Sequence, residues 1–402
     1  MSAIDLKVFY ATITKVRNKG ILKLKRMVNM NKKISILAAS VLSLSLLAAC
    51  SPADATTTAA DKGTQTTTTT AETGTKTEAS NEVEGPKAAE AGSIVKLGLG
   101  TKTSVAKSAE FTADKAGSAQ ADVVIAAVGF DKDNKVASIK IDNAQTKVEF
   151  NEDGSLKSDP AAEYNTKQEK GADYGLIKAS AIGREWNQQI EALSAWMQGK
   201  TVEEIKAIKL TETGNPDEAD LATSVSISVP DYIAVVEEAF QNAVEVAEGA
   251  DEVGLGVEIS IVKSAGKTDD KGAVAQVDTT LSAVALKGDK VAASILDVVQ
   301  APVVYDADGM ITSDIVAEVP SKNELGEDYG MIKASTIGKE WFEQAQALAD
   351  WTVNKTAAEI QDIPAEDKDG KIVVTDADLA TSVSVGIGDY LTVFEEAIET
   401  AR

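Results

Sequence analysis

Two threonines end the same four residues, once in each half of the chain. Asp-Leu-Ala-Thr spans Asp220–Thr223 and again Asp378–Thr381, and each copy is followed by Ser-Val-Ser. A threonine hydroxyl is a nucleophile or an attachment atom once a base or a partner activates it. Carboxylates stand close by in sequence: Asp217 and Asp220 in the first copy, Asp378 in the second. Paired carboxylates also serve hydrolysis, as acid and base. In a chain with 63 Asp and Glu residues such pairs arise from composition alone, and nothing else favours a hydrolase. There is no histidine, which excludes His-based triads, His metal ligands and His acid–base work. The single cysteine, Cys50, leaves no disulfide and no Cys-rich metal site. The formal net charge of −23 argues against nucleic-acid binding.

The matched turns belong to a long internal repeat. Tyr174–Ser180 recurs as Tyr329–Ser335, Trp186 and Trp196 recur as Trp341 and Trp351, Gly98-Leu-Gly100 as Gly254-Leu-Gly256, and Gln120-Ala-Asp122 as Gln276-Val-Asp278. Each unit is roughly 145–150 residues, the size of a domain and too long for a solenoid repeat. The expected organisation is an export signal with an upstream extension over 1–49, a tether over 50–93, and two repeats over 94–249 and 250–402. Each repeat is expected to fold by itself.

Within each repeat the strand signals come first. Ala121–Phe130 and Lys135–Asp142 flank the polar turn Asp131–Asn134 and read as a hairpin; Thr279–Leu286 and Val291–Val299 repeat it. The acidic turn is no calcium loop, because Val136 stands where such a loop needs glycine and Asp142 where it needs glutamate. No metal is expected. Asn151–Gly154 and Asp306–Gly309 are further turns. Ile182, Trp186, Ile190, Leu193 and Met197 fall at helical spacing, as do Ile337, Trp341, Ala345, Leu348 and Trp351 or Thr352. Their tryptophans lie on the apolar stripe and are expected in the core. Thr201 with Glu204 and Thr356 with Glu359 fit capping boxes. After Thr223, Val225, Ile227 and Val229 alternate with serines and suggest a half-buried strand. Asp231 and Asp389 are candidate N-caps of the last helix. The loops Gly171–Gly175 and Gly326–Gly330 are expected to be turns anchored by a partly buried tyrosine. Strands followed by helices give an α+β class, two homologous units each with a mostly antiparallel sheet and packed helices.

Residues 1–49 hold nine basic residues against one acid, Asp5. Asn31-Lys32-Lys33 precedes an apolar run of fourteen residues, Ile34–Leu47, too short for a comfortable membrane span. Leu47-Ala-Ala-Cys50 closes it as an export signal closes at its cleavage site. Met27 or Met30 is a natural start. The ending resembles the lipobox of bacterial lipoproteins, which implies that Cys50 is the lipidated first residue of the mature protein and that the chain faces outside the cytoplasm on a lipid membrane. The Thr-rich segment after it buries too little surface to order itself and reads as a tether.

The hairpin with its Asp-Lys-Asp-Asn-Lys-Val turn, followed by an Ala-Thr-Ser element and a terminal apolar helix, resembles the bacterial FMN-binding domain. That domain occurs in flavin-carrying subunits of sodium-pumping and related membrane oxidoreductases, and in surface lipoproteins, some with two copies in tandem. There a Ser/Thr-Gly-Ala-Thr motif carries FMN through a phosphodiester to its threonine. The resemblance places Ala222-Thr223 and Ala380-Thr381 on the Ala-Thr, Leu221 and Leu379 on the glycine, and Asp220 and Asp378 on the Ser/Thr. The family's upstream aspartate falls on Asp217, and in the second repeat on Thr375 with Asp376 one place on. Glycine permits a close backbone approach or positive φ that leucine resists. The resemblance implies FMN at both threonines, a flavin transferase and a redox partner, and electron transfer at the surface. A flavin-free surface binding or adhesion lipoprotein is the alternative. Either way the chain reads as a carrier or binding protein rather than an enzyme.

Overall fold

The computed structural model describes residues 85–401. The expected export signal, Cys50 and most of the tether lie outside the described residues. The elements run β1 (Ile94–Ser104), β2 (Gly117–Phe130), β3 (Val136–Phe150), α1 (Lys167–Lys170), α2 (Trp186–Met197), α3 (Val202–Lys206), α4 (Ala219–Ala222), α5 (Pro230–Gln241) and β4 (Val244–Ala250). The second half repeats them as β5 (Glu252–Ser260), β6 (Val274–Lys287), β7 (Lys290–Val304), α6 (Lys322–Leu325), α7 (Trp341–Thr352) and α8 (Ala357–Gln361). It then adds a small ladder, β8 (Ala365–Lys368) with β9 (Lys371–Val374), before α9 (Gly388–Ala401). Among the described residues no helix is long and apolar enough to cross a membrane.

The class is α+β, with antiparallel sheets packed with helices in two similar halves. The first sheet runs β3-β2-β1-β4 and the second β5-β6-β7. The predicted hairpins are present, extended at both ends: β2 pairs β3 from Gly117↔Phe150 to Phe130↔Val136, and β6 pairs β7 from Val274↔Val304 to Lys287↔Lys290. Each sheet buries both faces, with period-2 alternation dividing the residues between them. On β2, Val124, Ala126, Val128 and Phe130 meet the helices α2 and α5, while Val123, Ile125 and Ala127 point the other way.

That other face forms a core common to both halves. Leu97, Val123, Ile125 and Phe150 of the first sheet pack with Leu255, Val277, Leu281 and Val299 of the second in one continuous cluster. The layers are helix, sheet, sheet, helix. The two halves, each expected to fold by itself, belong to one compact unit across the described residues. Loops interlock the seam. The Phe111 amide donates to Gly309 O at 3.2 Å, and in the mirrored contact the Lys267 amide donates to Gly154 O at 2.8 Å. The Phe111 and Phe150 rings each lie 5.3 Å or 6.0 Å from an aromatic neighbour, with Tyr305 facing both at 5.3 Å.

Strands β1 and β5 carry the least strand-like residues because a helix lies directly on them. A Cβ at Gly98 or Gly100 would stand 1.8 Å from Ala239 O or 2.0 Å from Val235 O of α5. Gly254 and Gly256 meet α9 in the same way, at 1.7 Å from Ala397 O and 2.0 Å from Val393 O. Side-chain groups then cap the strand edge: Glu238 accepts from the Thr101 amide at 2.9 Å, and Glu396 from the Val257 amide at 3.1 Å. Filling an unpaired edge in this way blocks pairing with another chain.

The tryptophans are core residues. Trp186 and Trp341 are each 2% exposed, and each indole N–H donates to a buried tyrosine hydroxyl, Tyr232 and Tyr390, at 2.9 Å. Helices α2 and α7 start at these tryptophans, so Ile182 and Ile337 lie in the loops before them and not on the helical stripe. Truncating Trp341 to Ala should cost about 3–5 kcal/mol in a denaturant melt; a loss below about 1 kcal/mol would place the ring outside the core. Capping boxes form as expected at Thr201/Glu204 and Thr356/Glu359.

Two local expectations are corrected. Val225–Val229 is not a strand: the segment pairs with no ladder and its apolar residues drop directly into the helix-side core. Asp231 and Asp389 are not N-caps. Pro230 and Gly388 already begin the helices, which leaves each aspartate in the first turn, where a carboxylate favours the helix dipole.

Candidate functional site

The Asp-Leu-Ala-Thr turn is a single helical turn in both halves, α4 in the first and a 3-10 turn, Leu379–Thr381, in the second. Leu221 and Leu379 are buried, at 3% and 7% exposure, and neither has positive φ. Leucine is a core anchor at this position, in ordinary right-handed backbone. Ala222 and Ala380 are half-buried, and Thr223 and Thr381 are exposed. The hydroxyls donate back to Asp220 O at 3.4 Å and Asp378 O at 2.7 Å. Asp217, Asp220 and Asp378 are exposed. In the second half Asp376 shapes the turn, accepting from the amides of Asp378 at 3.1 Å and Leu379 at 3.0 Å.

A buried glutamine ties this turn to the other near-identical stretch. Gln189 is 0% exposed. Its Nε2 donates to Ser180 Oγ at 3.2 Å and Arg184 O at 3.1 Å, and its Oε1 accepts from the Ser226 amide at 2.8 Å. Gln344 repeats the set on Ser335 Oγ at 3.2 Å, Lys339 O at 3.1 Å and the Ser384 amide at 2.8 Å. The structure thus brings together the two segments in which the repeats agree best, 174–186 with 220–226 and 329–341 with 378–384. This is why the segment after the threonine needs no ladder: glutamine satisfies its backbone.

The assembled surface is polar with one apolar projection. Ile177 and Ile332 are 48% and 49% exposed, beside exposed Lys178 and Lys333. Lys339 Nζ donates to Ser382 Oγ at 3.1 Å, one residue from Thr381. Arg184 holds the matching position in the first half, and its Nη1 is enclosed with no hydrogen-bond partner among the described residues.

A second duplicated network fixes the loop before α2. Tyr174 Oη donates to Gln145 Oε1 at 3.3 Å, and Gln145 Nε2 to Asp122 Oδ1 at 2.7 Å. Tyr329, Gln300 and Asp278 repeat it at 3.2 Å and 3.2 Å. The Lys167 ammonium lies 4.8 Å from the Tyr174 ring centre and 5.4 Å from that of Trp186. The tyrosine is a turn anchor, as expected. Gln145 and Lys167 had no sequence signal of their own; the shared Gln-x-Asp of β2 and β6 was the available clue.

Two buried carboxylates hold the capping boxes to the sheets. Asp142 accepts from the Gln168 amide and Asp297 from the Asn323 amide, each at 3.1 Å. Burial pushes both carboxyls up to about 6, against hydrogen bonds from Thr166 and Ser321 that pull down. A raised carboxyl favours the folded state while protonated. Its contribution is complete below the unfolded value near 3.8 and is lost as pH rises through about 6. Asp297→Asn keeps the acceptor and removes the charge. It should gain about 1–3 kcal/mol at pH 7 and flatten the stability profile between pH ~4 and ~6 in urea melts. An unchanged profile would contradict the assignment.

Among the described residues no group of three acidic or thiol side chains forms that could hold a metal ion. An open cleft of about 870 Å³ lies at the seam, lined by Phe111, Asp153, Lys267 and Asp308 among others. It touches neither threonine. The chain matches no protein-family profile, no curated protein and no solved structure.

Proposed function

We propose that this is a lipid-anchored protein facing outside the cytoplasm that carries FMN on Thr223 and Thr381 and serves as an electron carrier. The observation that carries the reading is the pair of exposed hydroxyls on equivalent turns: Lys339 reaches the serine next to Thr381, and Arg184 is its counterpart in the first half, tied to that half's turn through Gln189. The phosphate end of a flavin fits this donor set. Leucine in the glycine position does not oppose it, because the turn has right-handed backbone there. A bound flavin supplies one- and two-electron chemistry. The chain's part is to present the hydroxyl, offset the phosphate charge and keep both turns rigid through Gln189 and Gln344. The residues that would hold the link are Thr223 and Thr381: each Oγ would be joined to the flavin phosphorus, and a separate transferase would supply the activated flavin nucleotide, take up the hydroxyl proton and release the nucleotide's remaining phosphate monoester with the bonding pair. Cys50 carries the lipid in this reading, and stable anchoring needs more than one chain.

A second reading, a flavin-free surface binding protein, is favoured by the burial of Leu221 and Leu379, since packing alone accounts for the turn. Valine keeps the shape of threonine and removes only the oxygen. In protein purified from its own host, Thr223→Val with Thr381→Val should abolish the visible flavin band without moving the melt, and each single change should remove about half. A colourless wild type would leave the second reading.

A further inference from the structure

We propose that Arg184 and Lys339 hold a phosphate ester at the two Asp-Leu-Ala-Thr turns; this rests on the flavin reading above, in which the ester is the flavin's own phosphate. The chain carries 63 acids against 40 bases, so a half-buried cation has carboxylates in abundance to pair with. Among the described residues neither Arg184 nor Lys339 makes an ion pair. The backbone of both is nonetheless fixed in place. Their amides donate to Ser180 Oγ at 3.2 Å and Ser335 Oγ at 3.1 Å, and their carbonyls accept from the buried glutamines. A half-buried charge held in position without a counter-charge is poised for an anion from outside, because an unpaired charge removed from water is costly.

The location selects the anion. Lys339 Nζ already contacts the hydroxyl of Ser382, and Thr381, the next residue on the same turn, presents an exposed hydroxyl to which a phosphoryl group would be joined. In the first half the enclosed Arg184 Nη1 is a donor with no acceptor. Lysine in one copy and arginine in the other keep the charge while changing its shape, as phosphate recognition allows. The surroundings are kept too. The exposed Ile-Lys-Ala of Ile177–Ala179 and Ile332–Ala334 is identical in the two halves, although packing asks nothing of it.

The test uses the full chain made in its own host, with the two sites as controls for each other. Lys339→Gln, Lys339→Arg and Arg184→Gln are digested, and flavin mass is scored separately on the peptides containing Thr223 and Thr381. Lys339→Gln should lower occupancy of Thr381 about tenfold or more, the effect of losing a charge-assisted contact, with Thr223 unchanged in the same molecules. Arg184→Gln should do the reverse, and Lys339→Arg should retain both. Full occupancy in both glutamine variants would overturn the inference and leave the flavin reading standing. Loss at both threonines together in a single variant would also overturn it, since the role is local. Wild-type protein without flavin at either threonine would overturn the flavin reading and this inference with it.

Discussion

A fragment of the first half alone, residues 85–250, is expected to be unfolded or to self-associate, never to melt as a monomer. Cutting the chain after β4 leaves the inner face of the first sheet without its partner. Leu97, Val123, Ile125 and Phe150, all fully buried in the whole chain, would then face water. At about 1.5–3 kcal/mol for each large side chain, that loss matches the whole stability of an ordinary domain, about 5–15 kcal/mol. The inner faces of the halves are related by the repeat, so two fragments can cover each other as the halves do. Sedimentation and melts at several concentrations decide it. A midpoint that rises with concentration is the expected result. A cooperative, concentration-independent monomer melt would show that the inner faces contribute little.

Gly254→Val carries the second large effect. The new Cβ would stand 1.7 Å from Ala397 O, and the obstacle is helix backbone, which no rotamer change relieves. Helix α9 must lift from β5, and with it Tyr390, which holds the indole of Trp341. Overpacking of this kind costs roughly 3 kcal/mol or more. Gly98→Val should act alike on α5, whose Ala239 O would stand 1.8 Å from the new Cβ. A loss below about 1 kcal/mol from either change would contradict the helix-on-strand contact.

These two features were legible in the sequence to different degrees. The central hairpins read clearly, because alternation and the Asp131–Asn134 turn agree. The run Val123–Val128 also held the sign of the shared core: it is apolar on both faces, as strands buried on two sides are. Strands β1 and β5 were missed because Gly98, Gly100, Gly254 and Gly256 dilute the strand signal; the residues that admit the helix are those that hide the strand. The false strand after Thr223 came from Val225, Ile227 and Val229, whose alternation reflects contacts with the helix-side core, while Gln189, thirty-odd positions upstream, supplies the hydrogen bonds. At the site, both threonines and their flanking residues stood out through repetition. Arg184 and Lys339 did not, since a lone base in a loop is commonplace until the fold shows that no carboxylate meets it.

The most direct measurement of the central proposal is the intact mass of the protein purified from its own host membranes, taken beside its peptide map. The account predicts two flavin-phosphate additions per chain, one on the peptide containing Thr223 and one on that containing Thr381. A chain that carries its lipid on Cys50 and no flavin on either peptide would contradict it.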